Sequence, residues 1–350
     1  MQHRIITLLA VAALLGVPAC AGQSPEPAGD PAKEAIEVTE PETSSDTEGQ
    51  DVTKGSEEEV DASARQTAEA GQASEAEPEA DEQKVVGAYE YEDANGQVVT
   101  IPAGFSVSER EGEQTVDEGL VVIGPDGNEF VWVPVSPGTL ADDMFAASGF
   151  FDEDDESYRR MYASVDHYGG FYMGRYEASQ APGDVPASVP ADSSDIWVHI
   201  PPQDMVNVCA GLYADNDTVT SFLPWGLNWD ATLKWLVHSG CKTVEEITTD
   251  SSGWGNYANN DFATERGYCA TGQWEEARTN NIYDLAGNYW EWTQERTASG
   301  NYAARAGGYS IMGGPCNGDA YPVVFRSSLP GNNHHPNITF RVALYLDEAA

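Results

Sequence analysis

The sequence predicts an α+β fold that is rich in loops, with short antiparallel strands and few helices. Two observations predict it. Short β-branched runs separated by turn residues fill the first part of the aromatic-rich region. Residues 248–279 are then rich in Gly, Asn and Ser, with isolated aromatic residues and no hydrophobic period. Such a long stretch without a period favours an irregular fold held by side chains over a layered α/β enzyme.

The individual elements follow from local patterns. Strands are predicted at residues 97–102, 105–107, 120–123, 130–135 and 171–177. The third and fourth are joined by Gly124-Pro125-Asp126-Gly127, which predicts a hairpin because Pro presets φ and Gly tolerates positive φ. After Gly226, apolar residues at near-helical spacing predict an amphipathic helix over residues 229–237.

The N-terminus has the order of a secretory signal. Basic Arg4 precedes an apolar run over residues 5–17, followed by Pro18-Ala19-Cys20. A cysteine after a small residue resembles the lipobox of bacterial lipoproteins, although Pro18 departs from that pattern. We expect residues 1–20 to be a lipoprotein-type signal peptide and Cys20 to be acylated, which anchors the chain to the membrane. The alternative is cleavage near Ala19 or Ala21, giving a free secreted protein.

Residues 21–87 have the composition of a disordered tether. They are Glu, Asp, Ala, Ser, Thr, Gln, Pro and Gly for the most part, without an aromatic residue before Tyr89. Such a segment buries too little apolar surface to offset its ordering entropy. Its excess of carboxylates makes it extended by self-repulsion. The alternative is an acidic binding tail.

Charge and cysteine content limit the classes of partner and of metal site that fit the sequence. The net charge of −41 excludes a nucleic-acid partner, because phosphate contact requires a basic surface. Residues 88–350 suit one large domain. It contains four cysteines, Cys209, Cys241, Cys269 and Cys316, which in an exported chain allow one or two disulfides in unspecified pairing. Their spacing does not suggest a zinc site.

Several motifs point to one family. They are residues 128–135 (NEFVWVPV), 170–179 (GFYMGRYEAS), 225–230 (WGLNWD), 281–293 (NIYDLAGNYWEWT), 305–308 (RAGG) and 339–344 (TFRVAL). In this order they resemble the formylglycine-generating-enzyme, or sulfatase-modifying-factor, domain across roughly residues 115–346. The resemblance implies a C-type-lectin-like fold of the formylglycine-generating-enzyme type.

The resemblance also implies a calcium site. In the family, this loop binds calcium through the positions of Asp284 and Glu291 and through the carbonyls at Gly287 and Tyr289, and all four positions match. Calcium prefers such hard oxygen ligands. The alternative is that Asp284 and Glu291 cap turns or pair with Arg305 or Arg341.

Catalysis is not expected. The family's oxidases bind copper through two cysteines after the Arg-Gly-Gly stretch, whereas residues 308–319 contain Cys316 alone. We therefore expect no copper. The His-x-x-x-His-x-Glu pattern of an iron-dependent branch is missing as well, and His167, His199 and His238 are isolated. Each histidine is interpreted as a surface or hydrogen-bonded residue.

The C-terminal segment resembles a more specific pattern. Residues 305–346 look like the variable region in targets of diversity-generating retroelements, where framework residues alternate with randomised surface positions. The framework is Arg305, Gly307, Gly308, Gly313 or Gly314, Pro322, Arg326, Pro330 and residues 340–346. The predicted ligand-binding residues between them are Tyr309, Ser310, Ile311, Asn317, Asp319, Tyr321, Val323, Phe325, Ser327, Ser328, Asn332, Asn333, His334, His335 and Asn337. Phe325 and Ile338 could instead face inward.

These features together predict a lipoprotein displayed on the bacterial cell envelope that binds a protein or glycan on another cell or surface. Tyr309 and Tyr321 would anchor the contact, since tyrosine offers large area at small entropic cost. Trp254 and Tyr257 could extend the surface, although core packing is the simpler expectation. The alternatives are an oxidase of the formylglycine-generating type and a structural envelope lipoprotein.

Overall fold

A computed structural model describes residues 87–142, 144–153, 155–311 and 314–347. The predicted signal peptide, its Cys20 and all but the last residue of the predicted tether lie outside the described residues. No helix in the described part of the chain is long and apolar enough to cross a membrane.

The described residues form a mixed α+β structure with many short strands. The strands are β1 (Tyr89–Glu92), β2 (Val98–Ile101), β3 (Ser106–Val107), β4 (Val121–Ile123), β5 (Glu129–Pro134), β6 (Phe150–Phe151), β7 (Gly170–Gly174), β8 (Ser179–Ala181), β9 (Val185–Ala187), β10 (Val219–Phe222), β11 (Arg278–Thr279), β12 (Ile282–Tyr283), β13 (Trp290–Thr297), β14 (Tyr302–Arg305), β15 (Ser310–Ile311), β16 (Gly314–Pro315), β17 (Ser327–Leu329), β18 (Ile338–Thr339) and β19 (Ala343–Leu346). The helices are α1 (Glu156–Tyr168), α2 (Pro202–Gly211), α3 (Gly226–His238) and α4 (Val244–Thr248), with a 3-10 turn at Glu275–Ala277.

The larger sheet has six antiparallel strands in the order β10-β19-β7-β5-β4-β3. The predicted hairpin is present as β4 and β5, and Gly127 takes a φ of 85° in its turn. In the centre of the sheet, Trp132 lies opposite Tyr172, and their rings pack edge to face at 4.9 Å. The five strands predicted from local pattern are therefore confirmed as β2, β3, β4, β5 and β7, with no end displaced by more than three residues.

Helix α3 confirms the one predicted helix, but it begins three residues earlier, at Gly226. Nearly all of its residues are buried, so it lies within the core. Helices α1, α2 and α4 were not predicted. Asp155 caps α1 by accepting a hydrogen bond from Tyr158 N, and Gly169 ends it in the left-handed conformation.

A second sheet carries the C-terminal segment. Its order is β17-β14-β13-β18, with β6 also paired to β13, and only the pair of β13 with β18 is parallel. Trp290 and Trp292 on β13 are almost completely buried, as are Trp225 and Trp229 at the start of α3. Burying one such side chain stabilises a fold by about 1.5–3 kcal/mol. The tryptophans therefore join α3 to the sheet on which residues 305–346 are mounted.

Residues 248–279 are turns, bends and short bridges for the most part, as predicted. Buried side chains hold this region in place. Trp254 and Tyr257 are 3% and 0% exposed. They are part of the core, so they do not extend a binding surface.

Candidate functional site

Most framework positions of the C-terminal segment are buried. They are Arg305, Gly307, Gly308, Pro322, Arg326, Phe340, Arg341 and Val342. Pro330 is exposed and Gly314 half-buried, while Gly313 lies outside the described residues. Because three of these residues are arginines, their burial requires hydrogen-bonding partners for each guanidinium.

Two of the arginines share one cluster of ions. Arg305 donates to Asp230 Oδ1 at 2.6 Å and to Glu295 Oε2 at 3.2 Å, and its side chain is fully buried. Arg326 donates to the other oxygen of each carboxylate, with 2.7 Å between its Nε and Glu295 Oε1. The cluster therefore contains two cations and two anions, so it carries no net charge into the core. It ties α3 to β13, β14 and the segment before β17.

The third arginine, Arg341, donates hydrogen bonds from all three nitrogens of its guanidinium. It donates to both carboxylate oxygens of Glu291, to Gly174 O at 2.9 Å and to Tyr283 O at 3.2 Å. Although burial opposes it, the negative charge of Glu291 raises the pKa of Arg341. The guanidinium therefore stays charged and joins the two sheets.

The glycines of the framework allow close approach of other groups. Gly307 has a φ of 66°, and a Cβ there would lie 2.5 Å from Tyr321 O and 2.7 Å from the Tyr257 ring. A Cβ on Gly308 would lie 2.6 Å from the Trp290 ring. These positions therefore accept only glycine without a shift of the surrounding backbone.

Most of the predicted ligand-binding residues reach solvent. The exposed ones are Asn317, Asp319, Phe325, Ser328, Asn332 and His334. The half-buried ones are Tyr309, Ser310, Tyr321, Ser327, Asn333 and His335. Ile311 lies on β15 beside Ser310.

Two of the predicted binding residues are buried, which corrects the prediction at those positions. Val323 is 0% exposed and its amide donates to Ser251 Oγ at 3.0 Å, so it packs inward. Asn337 is 9% exposed, and its side chain donates to Ser310 Oγ at 2.7 Å. Of the two residues suspected of facing inward, Ile338 does so at 1% exposure, whereas Phe325 remains 37% exposed.

One group of the predicted residues surrounds Tyr268. The Tyr268 ring stacks on Tyr289 with centroids 4.3 Å apart and meets the edge of Tyr309 at 5.9 Å. Its hydroxyl lies 2.8 Å from Ser310 Oγ, which is also bonded to Asn337. Burial raises the pKa of Tyr268. The result is an ordered, half-buried aromatic group at the start of the segment.

A second group packs on Trp290. Tyr321 and Phe325 each meet the Trp290 ring edge-on, at 5.8 and 6.0 Å, and each other at 5.2 Å. Trp290 is buried, whereas Phe325 is partly exposed. The buried Trp290 thus supports two outward aromatic rings, those of Tyr321 and Phe325. Such an arrangement is suited to anchoring a partner.

The histidines form a third group with a residue far away in sequence. His334 Nδ1 lies 2.9 Å from His199 O, and His199 N donates to His335 O at 3.3 Å. His199 has a φ of 64°, in the left-handed region. Partial burial and then the charge of His199 lower the pKa of His335. The neutral imidazole is therefore favoured there.

The remaining predicted residues lie apart from these groups. Asn317 and Asp319 flank Gly318, whose amide donates to Asn259 Oδ1 at 2.9 Å. Ser327 and Ser328 lie on the edge strand β17, with Asn332 and Asn333 in the turn that follows. The structure does not bring all fifteen predicted residues into one pocket.

Sequence reasoning missed the part that Tyr268, Tyr289 and His199 play in these groups. Tyr268 lies 42 positions before Ser310, and His199 lies 135 positions before His334. Tyr289, predicted only as a calcium position, stacks on Tyr268, which lies 21 positions earlier in the chain. Tyr268 stands in the loop-rich stretch whose isolated aromatic residues were noted without a role. His199 was interpreted as an isolated surface histidine, and it is exposed.

The four predicted calcium positions fit a calcium ion in part. Asp284 is fully buried; its Oδ2 accepts from Thr271 Oγ1 at 3.0 Å and from Gly272 N at 2.8 Å, while its Oδ1 has no hydrogen-bond partner. That oxygen is an available ligand. Glu291, in contrast, is paired with Arg341, as the alternative interpretation expected.

Other carboxylates near this loop are also unusual. Glu177 is 0% exposed and accepts from Tyr289 N at 2.9 Å. Burial, then repulsion from Asp284 and Glu291, raises its pKa. Burial raises the pKa of Asp284 to about 6. Among the described residues, no three or more His, Cys, Asp or Glu side chains converge as metal ligands.

The cysteines in the described part of the chain are four free thiols. The disulfides that the sequence allows are therefore not formed there. Burial raises the pKa of Cys316 to about 11, so its thiol stays protonated at neutral pH.

No family model and no curated protein sequence matches the chain. Among solved structures, the fold is distantly similar to CarF, with 13% identity over 62% of this chain and 98% of CarF, at a TM-score of 0.39. It is also distantly similar to Treponema denticola variable protein 1, with 12% identity over 73% of this chain and 98% of that protein, at a TM-score of 0.26. Both similarities concern the fold and are too distant to assign a function.

Proposed function

We propose that this protein is a surface-displayed, lipid-anchored receptor that binds a ligand on another cell or surface through outward residues of its C-terminal segment. We further propose that the segment is diversified by a retroelement. One observation carries the proposal: in residues 305–346 most framework positions are buried, with the arginines hydrogen-bonded internally, while most residues between framework positions reach solvent.

In this arrangement, the residues that hold the fold are different from the residues that would contact a ligand. Breaking a buried ion pair costs about 3–5 kcal/mol, so Arg305, Arg326 and Arg341 can change little. Substitutions at exposed positions usually change stability by about 0.5 kcal/mol or less. Asn317, Asp319 and similar residues can therefore vary without loss of the fold.

The composition of the outward positions suits recognition. Tyr309, Tyr321 and Phe325 are aromatic anchors that the core holds in place. Around them lie short polar residues, which adapt their hydrogen bonds to a partner. Protein-binding loops combine rigid aromatic anchors with adaptable polar residues in the same way.

The surface charge narrows the choice of partner. Residues 88–350 contain 39 Asp and Glu against 12 Lys and Arg. Arg175, Lys234, Arg305, Arg326 and Arg341 are buried, so they contribute little to the surface potential. A strongly anionic surface disfavours nucleic acids and other polyanions and favours a neutral or basic protein or glycan.

Display on the cell envelope is supported by the sequence before residue 87. The apolar run over residues 5–17 with Cys20 shortly after it supports acylation, and the acidic tether would hold the domain away from the membrane. Labelling with a radioactive fatty acid, lost in Cys20→Ser, tests the anchor. Digestion of intact cells with an added protease tests display.

A library experiment tests the partition. Ten outward positions, among them Tyr309, Asn317, Phe325 and His334, would be randomised together in cell-displayed protein, and folded clones counted by resistance to protease. We expect most clones to stay folded. A matched library at Arg305, Gly307, Arg326 and Arg341 should be almost entirely cleaved. Equal loss in the two libraries would refute the proposed division of roles.

A structural calcium ion beside Asp284 is a further part of the proposal. The unpaired Asp284 Oδ1 supports it, since a buried carboxylate oxygen without a partner is costly. Bound calcium would supply this partner and hold the loop of residues 284–291. We propose no catalytic role for it.

A further inference from the structure

A cleft lies beside the C-terminal segment, between the loops of residues 189–195 and 265–273. It consists of two adjoining cavities of about 680 and 380 Å³. Asp192, Ala270 and Gln273 line both cavities, so the two are neighbours. None of the predicted ligand-binding residues lines either one. The cleft is therefore a separate site that borders the proposed receptor surface at Tyr268.

The larger cavity is lined by small apolar residues together with polar side chains, and the smaller one mainly by polar groups. Carboxylates come from Asp192, Asp195 and Glu265, and amides from Gln180 and Gln273. Arg266 adds a guanidinium. Small residues such as Ala187, Ala191, Ala270 and Gly272 also line the cleft, which leaves space for a ligand. Few large apolar side chains contribute, unlike in most pockets for drug-like molecules.

Arg266 is held in position without being neutralised. Its Nη1 donates to Asn260 O at 2.9 Å and to Ala258 O at 3.2 Å. Its side chain is exposed, and among the described residues it forms no ion pair with a carboxylate. The guanidinium can therefore donate hydrogen bonds to a ligand in the smaller cavity.

Buried asparagines hold the floor of the cleft. Asn256 Nδ2 donates to Gly267 O at 3.0 Å and to Asn288 Oδ1 at 3.1 Å, and Asn288 Oδ1 also accepts from Cys269 N at 3.0 Å. Asn288 in turn donates to the buried Glu177 at 2.6 Å. Both asparagines are at most 1% exposed. The floor is thus fixed before a ligand arrives, which lowers the entropic cost of binding.

The two walls of the cleft are joined as well. Thr271 N donates to Ala191 O at 3.0 Å, and the Tyr289 hydroxyl donates to Ser193 O at 3.2 Å. Tyr289 also supports the Tyr268 ring, which lines the smaller cavity. The cleft therefore combines fixed walls with one half-buried aromatic ring.

We propose that this cleft binds a neutral oligosaccharide. Each sugar hydroxyl both donates and accepts a hydrogen bond, and the lining offers acceptors at Asp192 and Glu265 and donors at Arg266 and Gln273. The Tyr268 ring supplies an apolar surface for the C–H face of one sugar ring. The two adjoining cavities accommodate more than one sugar unit.

Other classes of ligand fit the cleft less well. Three carboxylates against one guanidinium repel acidic sugars, phosphates and nucleic acids. A basic peptide would be attracted by the carboxylates but would meet the guanidinium of Arg266. An apolar ligand would strip water from charged groups without replacing their hydrogen bonds.

A microarray of neutral oligosaccharides, probed with the full chain in detergent, tests the proposal. We expect binding to at least one neutral glycan, which is then titrated in solution. The double variant Asp192→Ala/Gln273→Ala should weaken this binding at least 10-fold, since it removes two ligand hydrogen bonds. The control Glu245→Ala removes an exposed carboxylate on α4, outside the cleft, and should leave it unchanged.

The same titration separates this site from the proposed receptor surface. Asn317→Ala/Asp319→Ala should leave glycan affinity unchanged, because neither residue lines the cleft. Three results would overturn the proposal: no neutral glycan is bound, binding is indifferent to the double variant in the cleft, or decalysine binds in the cleft in place of a glycan. None of these results bears on diversification of the C-terminal segment.

Discussion

Arg341 donates to both carboxylate oxygens of Glu291, and neither side chain has any exposed surface. Glu291 lies on β13, while Arg341 lies two residues before β19 of the other sheet. The pair therefore joins the two sheets at the point where the C-terminal segment returns to the core.

Removing one partner of this pair should strongly destabilise the domain. For Glu291→Gln we expect the free energy of unfolding in urea to fall by about 3–5 kcal/mol, because a buried guanidinium is left without its counter-ion. The control is Arg160→Ala, which removes an exposed pair with Asp347 and should cost about 1 kcal/mol or less. Equal losses in the two variants would show that the buried pair has no special importance.

Two glycines with similar backbone angles should respond differently to alanine. Gly307 and Gly300 have φ values of 66° and 81°, but a Cβ on Gly300 would meet nothing within 4 Å. Gly300→Ala should cost about 1–2 kcal/mol from backbone strain alone. Gly307→Ala adds a clash with Tyr321 O and should cost at least about 3 kcal/mol in thermal or urea unfolding. A smaller loss for Gly307→Ala than for Gly300→Ala would contradict this packing.

Stability should depend on pH through Asp152. Its carboxylate accepts from Gly226 N and Leu227 N at the start of α3, both at 2.9 Å. Burial, followed by repulsion from Glu295, nevertheless raises its pKa to about 7. The folded state therefore retains a proton that the unfolded state releases near pH 4. By linkage, this residue lowers stability as pH rises from about 4 to about 7.

The variant Asp152→Asn isolates this effect. The stability of the wild type relative to the variant should fall by about 1–3 kcal/mol between pH 4 and 7, and the difference should be constant above pH 8. Urea titrations across this range give the values. A wild type that gains stability relative to the variant over the same window would show that the α3 amides lower the pKa of Asp152 instead.

Calcium should bind once per chain. After removal of metals by EDTA, calorimetric titration with calcium should give one site and raise the melting temperature, because the ion would bind the unpaired Asp284 Oδ1. Magnesium should do so less effectively. If calcium produced neither heat nor a change in melting temperature, the result would contradict a calcium site and show that Arg341 alone holds the loop.

The sequence predicted those parts of the fold that depend on neighbouring residues. The β4 and β5 hairpin follows from its own turn, and Gly127 has the positive φ that the turn requires. The start of α3 at Gly226 could not be predicted, since its first amides are capped by Asp152, more than 70 positions earlier. Helix α1 was missed although its cap signals, Asp155 and Gly169, are local.

The sequence predicted that framework and outward residues alternate in the candidate site, but it did not predict the contacts of these residues. The alternation of framework and outward residues was predicted from the resemblance of residues 305–346 to retroelement targets. The inward packing of Val323 depends on Ser251, and the position of Ser310 depends on Tyr268. These contacts join distant segments, so no local pattern reports them.

The DNA that flanks the codons for residues 305–346 tests the central claim most directly. We predict a nearby reverse-transcriptase gene and a near-repeat of this region whose mismatches fall at adenines. The mismatches should lie at outward codons such as those of Asn317, Asp319 and His334, and should spare Val323 and the buried arginines. A flank without the repeat and the reverse transcriptase, or mismatches concentrated in the framework codons, would contradict the account of a diversified receptor.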